Sequence, residues 1–277
     1  PATDITVLVV DPARDPPAIG EATRVTDRER YDNQPAFLAD GSLLYTAAGD
    51  DGATDILRWD PATGDVAQVV ATPQSEYSPT AIPGRDAISV VRDYGNQDQQ
   101  LWSFPLRPGL PGGGEPRLLL PDVNPVGYHA WIDAERLLLF VLGEPPTLRL
   151  ARVGPGPGEV LATHPGRALA RLPGGPEVLF VQKVSEQDWW LTAIDVDART
   201  RRRLARMAPP HEDYAAAPDG ALWTGRGSRL LRFMPGRDAD WVAVADLAAY
   251  GIVGITRLAF DADGTRLAVV HEHRSPR

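Results

Sequence analysis

One phrase recurs six times along the chain: a polar start, a short strand, a tight turn and an apolar strand. It reads "DNQPAFLADGSLLYTA", "EYSPTAIPGRDAISVV", "GYHAWIDAERLLLFVL", "ARLPGGPEVLFVQ", "EDYAAAPDGALWTG" and "TRLAFDADGTRLAVV". The turn positions Asp40, Gly84, Ala134, Gly175, Asp219 and Asp263 lie 44, 50, 41, 44 and 44 residues apart. No single motif constrains the fold as much as this period, because a unit of that size cannot bury its apolar face alone and must stack on its neighbours. Asp-Gly, written at several of the turns, is a favoured tight hairpin.

Each unit continues in the same way. A third strand follows, as "TDILRWD", "QQLWSFPL", "TLRLARV", "WWLTAIDV" and "SRLLRFM". A Gly/Pro turn and a fourth strand come next, as in "PATG" and "DVAQVVA". Sustained helical periodicity is almost absent. The sixth unit has two strands before the chain ends at Arg277, whereas "DITVLVVDP" and "IGEATRVT" read as an unclaimed third and fourth strand at the start. The expected fold is therefore all-β: a six-bladed β-propeller of four-stranded blades, its last blade closed by two N-terminal and two C-terminal strands. Closure removes the exposed sheet edges that make open β-sheets hazardous. One propeller domain over residues 1–277 accounts for the whole sequence, and such a ring has no need of a second copy.

Composition excludes several classes. With 277 residues and a net charge of −9, the chain lacks the positive field that nucleic acid requires. Cysteine is absent, which rules out disulfides, thiolate metal sites and a cysteine nucleophile. No run approaches the ~18 apolar residues of a membrane span. "RTRRRLAR" (199–206), the one basic cluster, reads as a solvated turn, with an anionic partner site as the lesser reading. The glycines of "GPGPG" (154–158) are not a phosphate loop, since no helix pattern follows them.

"FLADGSLLYTAAGDDGATDILRWDPATGDV" resembles the WD-like repeat of TolB-type propellers. "SEYSPT", "QQLW", "PVGYHAWID", "FVLGEPPTL" and "TRLAFDADGTRLAVV" are similar to an exported, single-domain bacterial branch of that family. The resemblance implies a periplasmic or secreted protein whose signal peptide has been removed. TolB itself carries an extra N-terminal domain that has no counterpart here, so its partner role does not transfer automatically.

In a propeller the innermost strands all start at one mouth of the central channel. The residues at those starts are Asp32, Asn33 and Gln34; Glu76, Tyr77 and Ser78; Val126, Gly127 and Tyr128; Arg167, Ala168 and Leu169; His211, Glu212 and Asp213; and Ile255, Thr256 and Arg257. His129 follows the third set, where Pro35 and Pro79 stand in the first two units, so it is expected to look into the channel. The competing reading is a histidine bonded to a neighbouring blade. Arg92, His271 and His273 join the mouth through the second ring of loops, and the two histidines share a strand face as a metal pair would. Trp102, Trp189, Trp190 and Trp223 are expected in inter-blade packing.

This mixture of carboxylate, imidazole and guanidinium fits metal-assisted hydrolysis of an ester, lactone or phosphotriester. Glu76, His129, Glu212 and Asp213 would hold a divalent cation, with calcium, manganese and zinc all open. His129, Arg167 and Arg257 would act on the substrate, the arginines by stabilising developing negative charge. Propellers of other families that cleave such substrates use a channel-mouth cation, but their Asn-rich ligand pattern is not reproduced. The alternative is a non-catalytic TolB-like scaffold that binds a protein or peptide over the same mouth. Serine nucleophilic chemistry at Ser78, a glycosidase pair of Glu76 and Glu212, and carbohydrate binding rank below these two.

Overall fold

The structure, a computed structural model, describes residues 1–106 and 115–274. The chain opens with a hairpin of β1 (Thr3–Asp11) and β2 (Ala18–Arg24). A first complete sheet comprises β3 (Asp32–Phe37), β4 (Leu43–Ala48), β5 (Thr54–Trp59) and β6 (Val66–Val70). The next has β7 (Ser75–Ala81), β8 (Ala87–Asp93), β9 (Gln99–Pro105) and β10 (Arg117–Leu118). Then come β11 (Val126–Trp131), β12 (Arg136–Val141), β13 (Thr147–Arg152) and β14 (Glu159–Thr163). They are followed by β15 (Pro165–Arg171), β16 (Glu177–Lys183), β17 (Trp189–Asp195) and β18 (Thr200–Met207). A fifth sheet contains β19 (Ala215–Ala216), β20 (Leu222–Arg226), β21 (Arg229–Phe233) and β22 (Val242–Asp246). Finally β23 (Arg257–Phe260) and β24 (Arg266–Glu272) join the opening hairpin in the order β2-β1-β24-β23. The six sheets are the blades of a six-bladed β-propeller, and the two-plus-two closure read from the chain ends is present.

The turn chemistry works as its sequence demands. Gly41 and Gly220, second residues of Asp-Gly turns, both take φ 84°, a left-handed conformation costly for any side chain. "RTRRRLAR" is a strand rather than a turn: it forms most of β18, and Arg199, Arg202 and Arg206 pair with Glu159, Glu177 and Asp188. Arg201 donates instead to the Leu161 carbonyl and Arg203 lies over the Trp190 ring, so neither meets a carboxylate in these contacts. No helix among the described residues is long and apolar enough to cross a membrane.

The chain divides into two compact units, Pro1–Ala48, Leu57–Ala67 and Asp213–Arg277 against Gly49–Ile56 and Gln68–Glu212. In the first, Leu8, Trp223, Leu230, Leu267 and Val269 form one core cluster, and Ile5, Leu43, Tyr45 and Val270 another. In the second, Val91, Leu101, Val126, Trp131, Leu137 and Leu139 pack together, as do Leu138, Leu148, Phe180 and Ile194. Each fully buried leucine contributes roughly 1.5–3 kcal/mol relative to exposure. Several of the first strands are irregular. Pairing slips between Asn33 and Ala36 in β3 and between Tyr77 and Thr80 in β7, where Gln34 and Ser78 adopt φ 56° and 55°. A bulge of this kind re-aims side chains next to it.

Candidate functional site

In the second unit, Glu76 lies on β7 opposite Arg92 on β8 and is fully buried. Thr72 donates its hydroxyl to Glu76 Oε1, and Arg92 Nε stands 3.6 Å from that oxygen. Burial pushes the Glu76 carboxyl up, against the opposing pull of Thr72 and Arg92. Arg92 also donates to Thr72 and Gln74, and its guanidinium is held between the rings of Tyr94 and Trp102 at 5.3 and 5.2 Å.

His129 is not where the repeat alignment places it. Its Nε2 lies 2.6 Å from Ser89 Oγ on the adjacent blade, and Trp131 Nε1 donates to the same oxygen at 2.8 Å. Successive strand residues face opposite ways, so His129 and Trp131 share a face, and that face is the packed one. The neighbour-bonded reading holds, with a serine hydroxyl in place of a carbonyl. The assignment that uses the donors best has His129 Nε2–H and Trp131 Nε1–H both donating to Ser89, whose own proton goes to Thr80 O at 3.3 Å. Burial drives the His129 pKa down to about 3, leaving a neutral ring.

Glu212 has two cations. Lys183, the chain's only lysine, puts Nζ 2.6 Å from Oε2 as an ion pair, and Arg167 Nε lies 3.6 Å from Oε1. Gly166 makes room for this arrangement: a Cβ there would fall 2.8 Å from Val181 Cβ and 2.9 Å from Glu212 Oε2. Lys183 also sits 4.3 Å over the Trp189 ring, and Arg203 and Arg206 cover Trp190. Of the four tryptophans expected in packing, Trp223 alone is deeply buried, edge-on to Phe260; Trp102, Trp189 and Trp190 are half-buried under cations.

In the first unit, Asp32 is fully buried and receives both Nε and Nη2 of Arg28. Burial raises its pKa and Arg28 opposes the rise. Asn33 Oδ1 accepts from Gln34 N at 2.7 Å. Asp213 gives its backbone carbonyl to Thr224, His211 is exposed, and Arg257 opens β23 opposite Val270. His271 and His273 do not form a pair. His271 binds Thr6 Oγ1 at 2.9 Å and Glu272 O at 3.0 Å, and burial lowers its pKa; His273 Nδ1 binds Asp4 at 2.8 Å.

The expected metal set is therefore divided among separate partners: Glu76 to Thr72 and Arg92, His129 to Ser89, Glu212 to Lys183 and Arg167. The three-residue group of potential ligands found among the described residues is a different one, Asp4, Asp27 and His273. It already contains a cation. Arg24 reaches Asp4 Oδ2 at 3.0 Å and Asp27 Oδ2 at 3.1 Å, and Arg28 N donates to Asp4 Oδ1. A metal ion would have to expel that guanidinium, so the group as folded does not fit one. Asp4 was missed in the sequence, although a carboxylate inside "TDITVLVVD" is itself a signal, because a buried charge demands a partner.

One further pattern repeats in the second unit. Tyr94, Leu142 and Val184 are exposed large apolar residues, each the first residue after the second strand of its blade. The pairings Ser75–Asp93, Val126–Val141 and Pro165–Gln182 put them at the ends of their sheets where the first strands begin.

No protein-family model matches the sequence, and no curated protein matches it. Solved structures do match in shape. TolB from Acinetobacter baumannii superposes with a TM-score of 0.61 at 14% identity, over 99% of this chain and 64% of that one. The fold is shared with TolB. The chain thus spans less than two thirds of that relative's length. A proposed TolB from Agrobacterium tumefaciens gives 0.71 at 14% identity and is covered over 99% of both chains. A gluconolactonase from Xanthomonas campestris gives 0.63 at 14%, over 90% of this chain and 89% of its own. At such identity the likeness establishes architecture and no chemistry.

Proposed function

We propose that this TolB-like propeller is a binding scaffold for a protein or peptide, not a metal-dependent hydrolase, and that it works in the periplasm or outside the cell. One observation carries the reading: four of the carboxylates that could have held a catalytic cation already have cations of their own chain. Asp4 has Arg24, Asp32 has Arg28, Glu76 has Arg92, and Glu212 has Lys183 and Arg167. A divalent ion would have to break these pairs and leave guanidinium groups uncompensated.

The same side chains build a contact surface. Arginine and lysine held on aromatic rings are stiff and partly desolvated, which lowers the entropy lost when a partner is bound. Next to them Tyr94, Leu142 and Val184 offer apolar anchors at one position in three consecutive blades. An extended peptide bearing apolar side chains is the matching partner.

Hydrolysis is the second reading, supported by the fold shared with the gluconolactonase. Turnover of lactones, p-nitrophenyl esters and phosphotriesters separates the two. The scaffold reading expects no turnover beyond that of the Glu76→Gln and Glu212→Gln variants. Metal-dependent turnover lost in either variant would overturn it.

A further inference from the structure

A cavity of about 220 Å³ opens in the first unit between the β1–β2 turn and strands β21 and β22. Its polar wall is a pair of arginines. Arg232 on β21 has a side chain only 8% exposed, and its Nε has no hydrogen-bond partner. Arg237, in the following turn, is half exposed. Pro16, Val242 and Val244 form the apolar wall.

Both guanidiniums reach the same carboxylate. Asp15 Oδ1 lies 3.2 Å from Arg232 Nη1, and Asp15 Oδ2 lies 3.2 Å from Arg237 Nη1. Those contacts are longer than the ~2.7–2.9 Å of strong charge-assisted bonds. The Asp15 side chain is 68% exposed on a turn, so little holds it in place. A buried arginine with an unpaired N–H, facing a cavity whose carboxylate is loosely attached, is an arrangement that core packing does not require.

We propose that this cavity is a binding site for a small carboxylate, and that Asp15 is a built-in occupant which the ligand displaces. With Asp15 withdrawn, Asp238 is the one carboxylate left among the described residues lining the cavity, and its oxygens are held by Arg237 Nε and Met234 N. One net positive charge remains, which matches a monoanion and not a phosphate dianion. The volume falls below the ~300–1,000 Å³ of drug-sized pockets, so the ligand carries a short branched or straight apolar tail. A free acid and the C-terminal carboxylate of a peptide share this chemistry.

The test is calorimetric titration of the full chain with isobutyrate, N-acetylvaline, isobutyramide and inorganic phosphate. Isobutyrate is expected to bind saturably and isobutyramide not at all. Asp15→Ala should bind isobutyrate about tenfold more tightly, because an internal competitor lowers apparent affinity by the fraction of time it occupies the site. Arg237→Gln should abolish binding; it is half exposed and tests the site even if Arg232→Met fails to fold. N-acetylvaline binding as tightly as isobutyrate identifies a peptide terminus as the source, and exclusion of it identifies a free acid. Absence of saturable binding to Asp15→Ala, unchanged binding in Arg237→Gln, or tighter binding of phosphate than of isobutyrate would overturn the assignment.

Discussion

His129 Nε2 and Ser89 Oγ, on neighbouring blades, are 2.6 Å apart, and the contact is enclosed enough to bring the imidazole pKa down to about 3. The unfolded chain takes up a proton near pH 6.5, whereas the folded chain resists doing so until about pH 3. The stability this ring contributes is complete above pH 6.5 and is lost as pH falls through that window, by at most ~1.4 kcal/mol per pH unit. Urea unfolding at a series of pH values should show the slope, and His129→Ala should flatten it. The same variant, by leaving a cavity and depriving the buried Ser89 hydroxyl of one partner while its bond from Trp131 remains, should cost about 1–3 kcal/mol at pH 7.

Glu76 titrates in the opposite sense. Burial raises its pKa, so its contribution is greatest below the ordinary carboxylate range and declines as pH rises through the folded value. Glu76→Gln should therefore be neutral or slightly stabilising at pH 7, within about 1 kcal/mol, and should reduce the pH dependence near the acid range. Chemical denaturation at pH 4 and pH 7 measures both effects.

Gly166 is a packing constraint on the Glu212–Lys183 pair. Gly166→Ala would force a methyl to within 2.8 Å of Val181 Cβ and 2.9 Å of Glu212 Oε2. A loss of about 1–3 kcal/mol is expected, with the ion pair displaced. Thermal unfolding gives the first and a crystal structure of the variant gives the second.

Much of this was legible in the sequence, for unequal reasons. The 44-residue spacing from Asp219 to Asp263 and the unclaimed strands at the N-terminus determine blade number and closure by strand counting alone. The side-chain directions did not follow from the same alignment. The repeat alignment equates His129 with Pro35 and Pro79, yet Trp131, two residues on, marks the buried face of its strand and is the better guide. The bulges at Gln34 and Ser78 change which residues face inward, and no turn signal in the sequence announces them. Partners such as the Thr72 hydroxyl for Glu76 or the Arg24 guanidinium for Asp4 come from other strands or from loops and are invisible before the chain is folded.

Arg24 supplies a control on the metal question. Arg24→Ala removes the cation from Asp4 and Asp27 and should cost about 2 kcal/mol, less than a fully buried pair because the guanidinium is partly in water. It should also create a melting response to divalent cations, since the Asp4, Asp27 and His273 ligand atoms lie within 4.8 Å of one another. Melting curves of wild type and variant with calcium, manganese and zinc make the comparison.

The exposed apolar row gives a prediction about binding alone. Replacing Tyr94, Leu142 and Val184 together with serine should alter stability by no more than ~0.5 kcal/mol per site. A photo-crosslinker placed at Glu186, exposed two residues after Val184, should label a discrete peptide or protein partner in the parent chain and lose it in the triple variant. Labelling that persists unchanged places the partner elsewhere.

Whether these carboxylates keep the cations of their own chain is tested most directly by the midpoint of thermal unfolding. After exhaustive chelation, and again after addition of calcium, manganese or zinc, the wild-type midpoint should not move. A saturable upward shift that Glu76→Gln or Glu212→Gln abolishes would contradict the account and restore a metal centre at those residues.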